Sequence, residues 1–334
     1  MLDPRTPSLA LAPMDGITDA PMRALQGKCG SFDYAVSEFI RVSGDVLPKK
    51  VFRRDVPEIC EGSRTRTGLP VQVQILGGDP ELMALSALNA WKAGATAIDI
   101  NFGCPAPVVN RHDGGASLLR QPCRIREVVS AVRQAVPAQV PVSAKLRLGW
   151  DDPGAIDETA AMAEEGGASW ITIHARTRMQ GYAPPVFWKP IGRVRRRLGI
   201  PVVANGDIWS LEDFCRCREE TECRHYMLGR CALADPILSH AVSKELGLER
   251  SYHVPEDWTQ ILRELVSSSE VFGDRVPARA LMRLKQWLKI ASNFGRFPHF
   301  DLVKRATTVD ELFATLEGVP AEDLRLAEEP ATRS

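Results

Sequence analysis

The sequence has no surplus of charge of either sign and no long apolar run. Its 42 Lys and Arg residues balance 42 Asp and Glu residues, so the formal net charge is zero at pH 7. An acidic partner must therefore meet a local basic patch, because the field of the whole chain attracts neither sign. The N-terminal segment MLDPRTPS has no apolar signal core, and no apolar stretch approaches the roughly 18 residues that span a bilayer. We expect a cytoplasmic protein with no membrane partner.

The chain also lacks a regular cysteine framework. Eight cysteines in 334 residues do not resemble the dense pattern of a small secreted domain, so we expect free thiols. Cys215, Cys217, Cys223, His225 and Cys231 lie close together, but no Cys-x2–4-Cys pair occurs among them. Two cysteines spaced two apart on a helix point to different faces. We predict no metal site.

What the chain does contain is one repeated unit, a short apolar run closed by a turn and followed by an amphipathic helical segment. The runs span 9–14, 32–39, 71–76, 97–101, 141–148, 170–175, 201–204 and 225–228. Eight alternating units predict a closed (β/α)8 TIM barrel rather than an open doubly wound sheet. Polar residues inside two of the runs, such as Gln72 and Lys145, support closure, since an open sheet buried on both faces tolerates them poorly.

The alternation stops near residue 239, and the pattern is helical beyond it. We predict a barrel domain over residues 1–240, a smaller all-helical domain over 241–318, and a loosely ordered acidic tail over 319–334.

In a barrel of this kind, the carboxyl ends of all the strands meet at one mouth. The residues predicted there are mostly cationic or amide-bearing: Pro13, Met14, Glu38, Arg41, Gln74, Asn101, Cys104, Lys145, Arg147, His174, Arg176, Asn205, Gly206, Asp207, Gly229 and Arg230. This lining suits a phosphorylated heteroaromatic ligand. The loops after strands seven and eight commonly bind phosphate, and their glycines fit that role, although ordinary turns would also explain them.

FMN carries groups that match both parts of this predicted lining. Its phosphate suits the last two loops, and its pyrimidine-like edge suits Gln74, Asn101 and Lys145. Lys145 would stabilise a reduced, anionic flavin, with a structural ion pair as the alternative. His174 would anchor the ribityl or phosphate group, or else serve the structure alone.

The segment from Asn101 to Pro105, Asn-Phe-Gly-Cys-Pro, breaks the chain directly after a strand and holds Cys104 at the mouth. Hydride addition to a C=C bond leaves a carbanion that needs a proton. A thiol with a pKa of about 8.5 is mostly protonated at neutral pH and can supply that proton. We interpret Cys104 as a general acid, against the alternative of a packed, inert cysteine.

A basic lobe lies near the C-terminus. Residues 274–305 contain eight Lys or Arg against two Asp. Leu281, Leu284, Leu288 and Ala291 recur at helical spacing and predict a core face, while Arg279, Arg283, Lys285 and Lys289 lie elsewhere on the helix. The arginine run at 193–197 adds a second basic cluster, which we expect near the mouth. Such clusters bind phosphates of nucleic acid, although a solvated helix face is the plainer interpretation of one charge run.

The motifs in combination resemble the tRNA-dihydrouridine synthases, over residues 9 to about 295. They are APMDGITD at 12–19, VQ at 73–74, NFGCP at 101–105, KLR at 145–147, HART at 174–177, NGDI at 205–208 and GR at 229–230. The segments at 37–42, 50–52 and 283–288 look most like the C subfamily, which acts on U16 of the tRNA D-loop.

This resemblance implies an FMN-dependent barrel with a helical tRNA-binding domain, NADPH as the electron donor, and Cys104 as the acid that protonates uracil. It implies FMN binding by Pro13, Met14, Asp15, Gln74, Lys145, His174, Asn205, Gly206, Asp207, Gly229 and Arg230. It implies RNA or base contacts by Arg41, Asn101, Tyr182, Arg283 and Lys285, to which we add Arg176 from the mouth and Arg279 from the basic lobe.

Two other functions stay open at this stage. One is a flavin barrel that reduces a free pyrimidine or enone, and the other is an RNA-binding protein whose barrel is catalytically idle. A basic C-terminal lobe argues against the first, and bound flavin would argue against the second. We expect a monomer with no protein partner.

Overall fold

The chain forms a closed barrel of eight parallel strands in a computed structural model that describes residues 2–110, 114–248, 250–272 and 277–326. The strands follow one another in chain order, and the last pairs with the first. They are β1 (Ser8–Leu11), β2 (Tyr34–Arg41), β3 (Val71–Leu76), β4 (Ile98–Asn101), β5 (Val142–Arg147), β6 (Trp170–His174), β7 (Val202–Asn205) and β8 (His225–Leu228). The predicted (β/α)8 barrel is confirmed, and each strand overlaps the run predicted for it.

Helices alternate with the strands and then continue beyond them. They are α1 (Ala20–Cys29), α2 (Lys49–Asp55), α3 (Pro80–Ala93), α4 (Pro107–Asn110), α5 (Pro122–Ala135), α6 (Ile156–Glu165), α7 (Lys189–Arg197), α8 (Leu211–Thr221), α9 (Arg230–Ala234), α10 (Leu238–Glu245), α11 (Trp258–Val271), α12 (Pro277–Asn293), α13 (Phe300–Val303), α14 (Val309–Glu317) and α15 (Ala321–Leu324). Side-chain caps explain several starts. Asp19 accepts the N–H of Met22 ahead of α1, and Asp79 accepts that of Leu82 ahead of α3.

Alternation along the strands sorts side chains between the two faces of the barrel wall. In β3, Val71, Val73 and Ile75 pack in the main apolar core between strands and helices. The intervening Gln72 and Gln74 are fully buried on the inner face. The neighbouring strands β4 and β5 repeat this pattern, so this side of the barrel interior is polar.

A second apolar core forms around α11, α12, α13 and α14, and it includes Met22 and Leu25 of α1. The predicted domain boundary at residue 240 lies inside α10, whose Leu238 and Val242 pack in the barrel core. Of the predicted tail, Leu324 in α15 is buried, and residues 327–334 lie outside the described residues. Among the residues described, no helix combines the length and the apolar character that crossing a bilayer requires.

Candidate active site

A cavity of about 310 Å³ opens at the carboxyl ends of the strands. Most of the residues predicted for the site line it, although they come from distant parts of the chain. The predicted residues in its wall are Pro13, Met14, Asp15, Asn101, Cys104, Lys145, His174, Tyr182, Asn205, Gly206, Asp207, Gly229 and Arg230. The convergence follows from the barrel, because every strand ends at the same rim.

The segment 101–105, here named the Cys104 loop, is held by hydrogen bonds at both ends. Asn101 Oδ1 accepts the backbone N–H groups of Gly103 and Cys104, each at 2.9 Å. Arg147 Nε donates to the Gly103 carbonyl at 2.8 Å, and the Cys104 carbonyl accepts the N–H of Ala116 at 3.1 Å. The thiol therefore has a defined place at the edge of the cavity.

Burial favours the protonated form of this thiol. Cys104 is half-buried, and desolvation raises its pKa above the ordinary value of 9.0. The backbone N–H of Ala106 opposes this shift without cancelling it. At neutral pH the group is a thiol that can donate a proton.

Lys145 projects from β5 into the cavity. Its Nζ donates to Asn205 Oδ1 at 3.0 Å, and Asn205 Nδ2 donates to the Met227 carbonyl at 2.8 Å. Burial and the neighbouring Arg147 lower the pKa of Lys145 to about 8, while Asp99 acts in the opposite direction. The lysine is thus a poorly solvated cation that a ligand with an acceptor or an anionic group would stabilise.

Gln74 lies one layer beneath the cavity wall. Its side chain is fully buried, and its two ends bond to Asp99 and Asn101 at 2.6 and 2.8 Å. The structure therefore brings Gln74 against the predicted site residues without exposing it at the surface of the cavity.

The loops after β6, β7 and β8 form a cationic end of the cavity. Arg176 pairs with Asp207, and Arg230 Nη2 lies 3.7 Å from the same carboxylate. Gly206 has a φ of +114°, a conformation that resists any side chain, and Asp207 follows at +52°. This turn brings the backbone and two guanidinium groups to one place.

Buried nitrogen atoms at or behind this end of the cavity lack protein partners. Within the described residues, His174 Nδ1 and Arg176 Nε and Nη1 are buried without a hydrogen-bond partner. Burial, together with cations that include Lys145 and Arg147, holds the pKa of His174 well below its usual value of 6.5, so its ring is neutral at pH 7. Buried polar groups of this kind need a partner, and an anionic ligand would supply one.

Tyr182 forms part of the rim and is 57% exposed. Two cations lie close to its ring, with the guanidinium carbons of Arg230 and Arg147 at 4.4 and 5.4 Å from its centre. Arg147 also donates to the carbonyls of Thr177 and Gly181, at 3.0 and 2.8 Å. One arginine thus joins the Cys104 loop to the loop that carries Tyr182.

The other residues predicted to contact RNA do not line the cavity. Arg41 is half-buried at the end of β2, and Arg279 is exposed on α12. Arg283 pairs with Asp19, which places α12 across the loop after β1. Lys285 Nζ donates to the Ala306 carbonyl at 2.5 Å. Of these four side chains, that of Arg279 is the most accessible.

The arginine run at 193–197 is not near the mouth, and that expectation was wrong. It occupies the end of α7, and a helix between parallel strands runs back toward their starts. Arg193 pairs with Asp157, and Arg195 and Arg196 pair with Glu222. The run is partly neutralised at the far end of the barrel.

Sequence reasoning missed an aromatic contact between the edge of the barrel core and the residue that follows α12. The rings of Trp209, after β7, and Phe294, after α12, are stacked with 3.7 Å between their centres. The Arg230 guanidinium carbon lies 5.4 Å from the Trp209 ring centre. The one signal in the sequence was that Trp209 directly follows the NGDI motif at 205–208.

In the described part of the chain, no group of three or more His, Cys, Asp or Glu residues is arranged to hold a metal ion. Cys217, Cys223 and Cys231 instead pack in the main apolar core.

Relatives of known name resemble this chain over most of its length. The family model described as dihydrouridine synthase (Dus) matches residues 10–311. The tRNA-dihydrouridine(16) synthase of Cupriavidus necator is 42% identical over 281 residues, which cover 84% of this chain and 86% of that protein. The tRNA-dihydrouridine(16) synthase of Shewanella oneidensis is 40% identical over 316 residues, covering 92% and 96% respectively.

Solved structures share the fold at much lower identity. A complex of 2-naphthoyl-CoA reductase has a TM-score of 0.56 and 12% identity, over 71% of this chain and 50% of that one. Histamine dehydrogenase from Rhizobium sp. 4-9 has a TM-score of 0.54 and 12% identity, over 78% and 48%. This chain thus spans about half the length of those structures, and the likeness shows the barrel fold alone.

Proposed function

This chain belongs to the dihydrouridine synthase family, and we propose that it reduces the C5=C6 bond of uridine 16 in the tRNA D-loop. Membership implies a flavin cofactor, which we specify as FMN with NADPH as the electron donor. The names of the two relatives support tRNA as the substrate and position 16 as the target. We place this activity in the cytoplasm, in a monomer.

One observation carries the proposal: a single cavity is lined by the turn at Gly206, by Arg230 and by His174, whose Nδ1 has no partner, together with Lys145 and Cys104. The phosphate of FMN would be held by Arg230, the neutral His174 and the turn at Gly206, with Arg176 behind them pairing with Asp207. Lys145 would donate to the pyrimidine-like edge of the ring. The set fits a ligand that is anionic at one end and carries acceptors at the other.

When bound, FMN supplies the hydride that adds to C6 of uracil. Cys104 donates its proton to C5, which completes saturation of the bond and leaves a thiolate to be reprotonated from solvent. Asn101 holds the Cys104 loop through Oδ1, so the thiol is presented from a fixed backbone. NADPH would return the two electrons and the hydrogen consumed in each turnover.

The surface beside the cavity is suited to RNA. Tyr182 and Met179 are 57% and 60% exposed on one loop at the rim and offer a stacking surface for bases. Exposed cations on α12, Arg279 and Lys289, would add contacts to RNA phosphates. A uridine within folded tRNA must leave its stack at a cost of a few kcal/mol, which phosphate contacts would offset.

The test uses purified protein, NADPH and unmodified tRNA transcript, with dihydrouridine mapped position by position. We expect dihydrouridine at position 16 and none in a matched transcript with cytidine there. Flavin released by heat should co-elute with FMN. Equal reduction of free uridine would favour the small-molecule reductase, and dihydrouridine at another position would reject the choice of uridine 16.

A further inference from the structure

A buried carboxylate lies behind the proposed catalytic loop. Asp99, on the inner face of β4, is only 2% exposed. Its Oδ2 accepts Gln74 Nε2 at 2.6 Å, and its Oδ1 accepts the Ser143 hydroxyl at 2.5 Å. The Ser143 oxygen also accepts Gln72 Nε2 at 2.8 Å, which commits the hydroxyl hydrogen to Asp99. Burying a carboxylate costs desolvation free energy, so the presence of Asp99 here indicates a role other than filling space.

The hydrogen bonds continue from this carboxylate to the Cys104 loop. Gln74 Oε1 accepts Asn101 Nδ2 at 2.8 Å. Asn101 Oδ1 then accepts the backbone N–H groups of Gly103 and Cys104, both at 2.9 Å. Each of the two side-chain amides turns its nitrogen toward Asp99 and its oxygen toward the Cys104 loop.

The donor-to-acceptor direction of this series of hydrogen bonds is fixed by the groups at its two ends. An ionised carboxylate can only accept, and a peptide N–H can only donate. The two amides between them therefore have one orientation that satisfies every bond, and Asp99 is the terminal acceptor that makes it complete. Low solvent access strengthens such a network and makes each missing partner expensive.

We propose that Asp99 is a positioning residue for the Cys104 loop, acting through Gln74 and Asn101. The hydrogen bonds described above support the positioning of the loop by themselves. An effect of Asp99 on turnover depends in addition on the proposed acid role of Cys104, and separate experiments test the two.

The first test measures backbone hydrogen exchange at Gly103 and Cys104 in the full-length, flavin-loaded protein. Asp99→Leu removes the terminal acceptor, and we expect exchange at both amides to rise about fivefold, the worth of one net hydrogen bond. Asp99→Asn can turn its carbonyl oxygen toward Gln74, so exchange should return close to the parent value. The control Ser143→Ala leaves the acceptor of Gln74 in place and should not raise exchange in the loop.

These variants separate positioning from two other roles. A purely electrostatic role opposite Lys145 predicts that the neutral Asp99→Asn and Asp99→Leu behave alike. A purely structural role predicts faster exchange throughout the barrel, including amides of α5 that have no part in the chain of bonds. Unchanged loop exchange in Asp99→Leu, or either of those patterns, overturns the proposal.

A second variant keeps the test decisive if Asp99→Leu does not fold. Gln74→Met interrupts the same chain one link later and should raise loop exchange by a similar factor. Where both variants fold, their double mutant should exchange no faster than the faster single mutant, because both break one path. Multiplicative effects would show two independent paths and reject the proposal. If exchange rises while turnover is unchanged, the positioning holds and the loop is still closed for most of the time, and the acid role of Cys104 is then decided by Cys104→Ala.

Discussion

The guanidinium of Arg230 lies over the ring of Tyr182, with 4.4 Å between its carbon and the ring centre. The same side chain has Nη2 at 3.7 Å from Asp207 Oδ1. A single cation thus connects the proposed phosphate-binding end of the cavity to the exposed aromatic residue at its rim. Loss of this side chain should therefore affect both cofactor binding and the surface that contacts the substrate.

The phosphate role of Arg230 can be tested with two ligands that differ only by phosphate. Arg230→Met keeps an apolar stem and removes the charge, so FMN should bind about 10- to 100-fold more weakly, the range for a charged hydrogen bond. Riboflavin should bind parent and variant with similar affinity in fluorescence titrations. An equal loss for both ligands would indicate that Arg230 shapes the pocket rather than binding phosphate.

The acid role of Cys104 predicts a loss of product without a loss of cofactor. Cys104→Ala should bind the parent amount of FMN, since no contact assigned to FMN involves the thiol. Dihydrouridine formation should fall by about 100- to 10,000-fold, the usual contribution of a general acid. Cys123→Ala, at an exposed cysteine, serves as the control. Undiminished single-turnover rates in Cys104→Ala would remove the thiol from the mechanism.

Strand patterns predicted the barrel because burial and alternation are properties of the sequence itself. The inner and outer faces of β3 follow from its alternating Val and Gln residues. Glycine and proline around Cys104 likewise predicted a turn, since backbone restrictions are local. These features need no knowledge of which distant residues meet.

Depth and long-range contacts were harder to predict. A strand-end rule brought Gln74 to the mouth without showing that Asn101 covers it. The stacking of Trp209 on Phe294 joins residues 85 positions apart in the sequence, and neither local pattern specifies the other. The position of the arginine run at 193–197 could have been predicted from the sequence, because a helix between parallel strands must end at the far rim of the barrel.

The position of the basic residues predicts which arginines contact tRNA. Arg279→Gln, on exposed α12, should weaken tRNA binding uniformly across sequences and reduce the slope of log affinity against log salt by about one. Arg196→Gln removes the same charge at the opposite end of the barrel, where Arg196 pairs with Glu222, and should leave the slope unchanged. Filter binding at several salt concentrations measures both. Equal slopes for the two variants would place the RNA elsewhere.

The buried ammonium of Lys145 predicts a dependence of stability on alkaline pH in the flavin-free protein. The folded pKa is lowered from 10.5 to about 8. Between these values the unfolded chain binds a proton that the folded chain has released, so the free energy of unfolding rises with pH. Below about pH 8 both states are protonated, and the folded state bears the full cost of the buried charge.

Lys145→Met removes this cost at every pH. Relative to the parent, the variant should be more stable at pH 7.5 by up to about 3 kcal/mol, and the advantage should shrink toward pH 10.5. Urea unfolding at four pH values between 7.5 and 10.5 measures the difference, with Lys92→Met as the control at an exposed lysine. If the difference in unfolding free energy between the parent and Lys145→Met did not change with pH, the ammonium would be well solvated. The cavity would then lack the poorly solvated cation that we assign to the flavin ring.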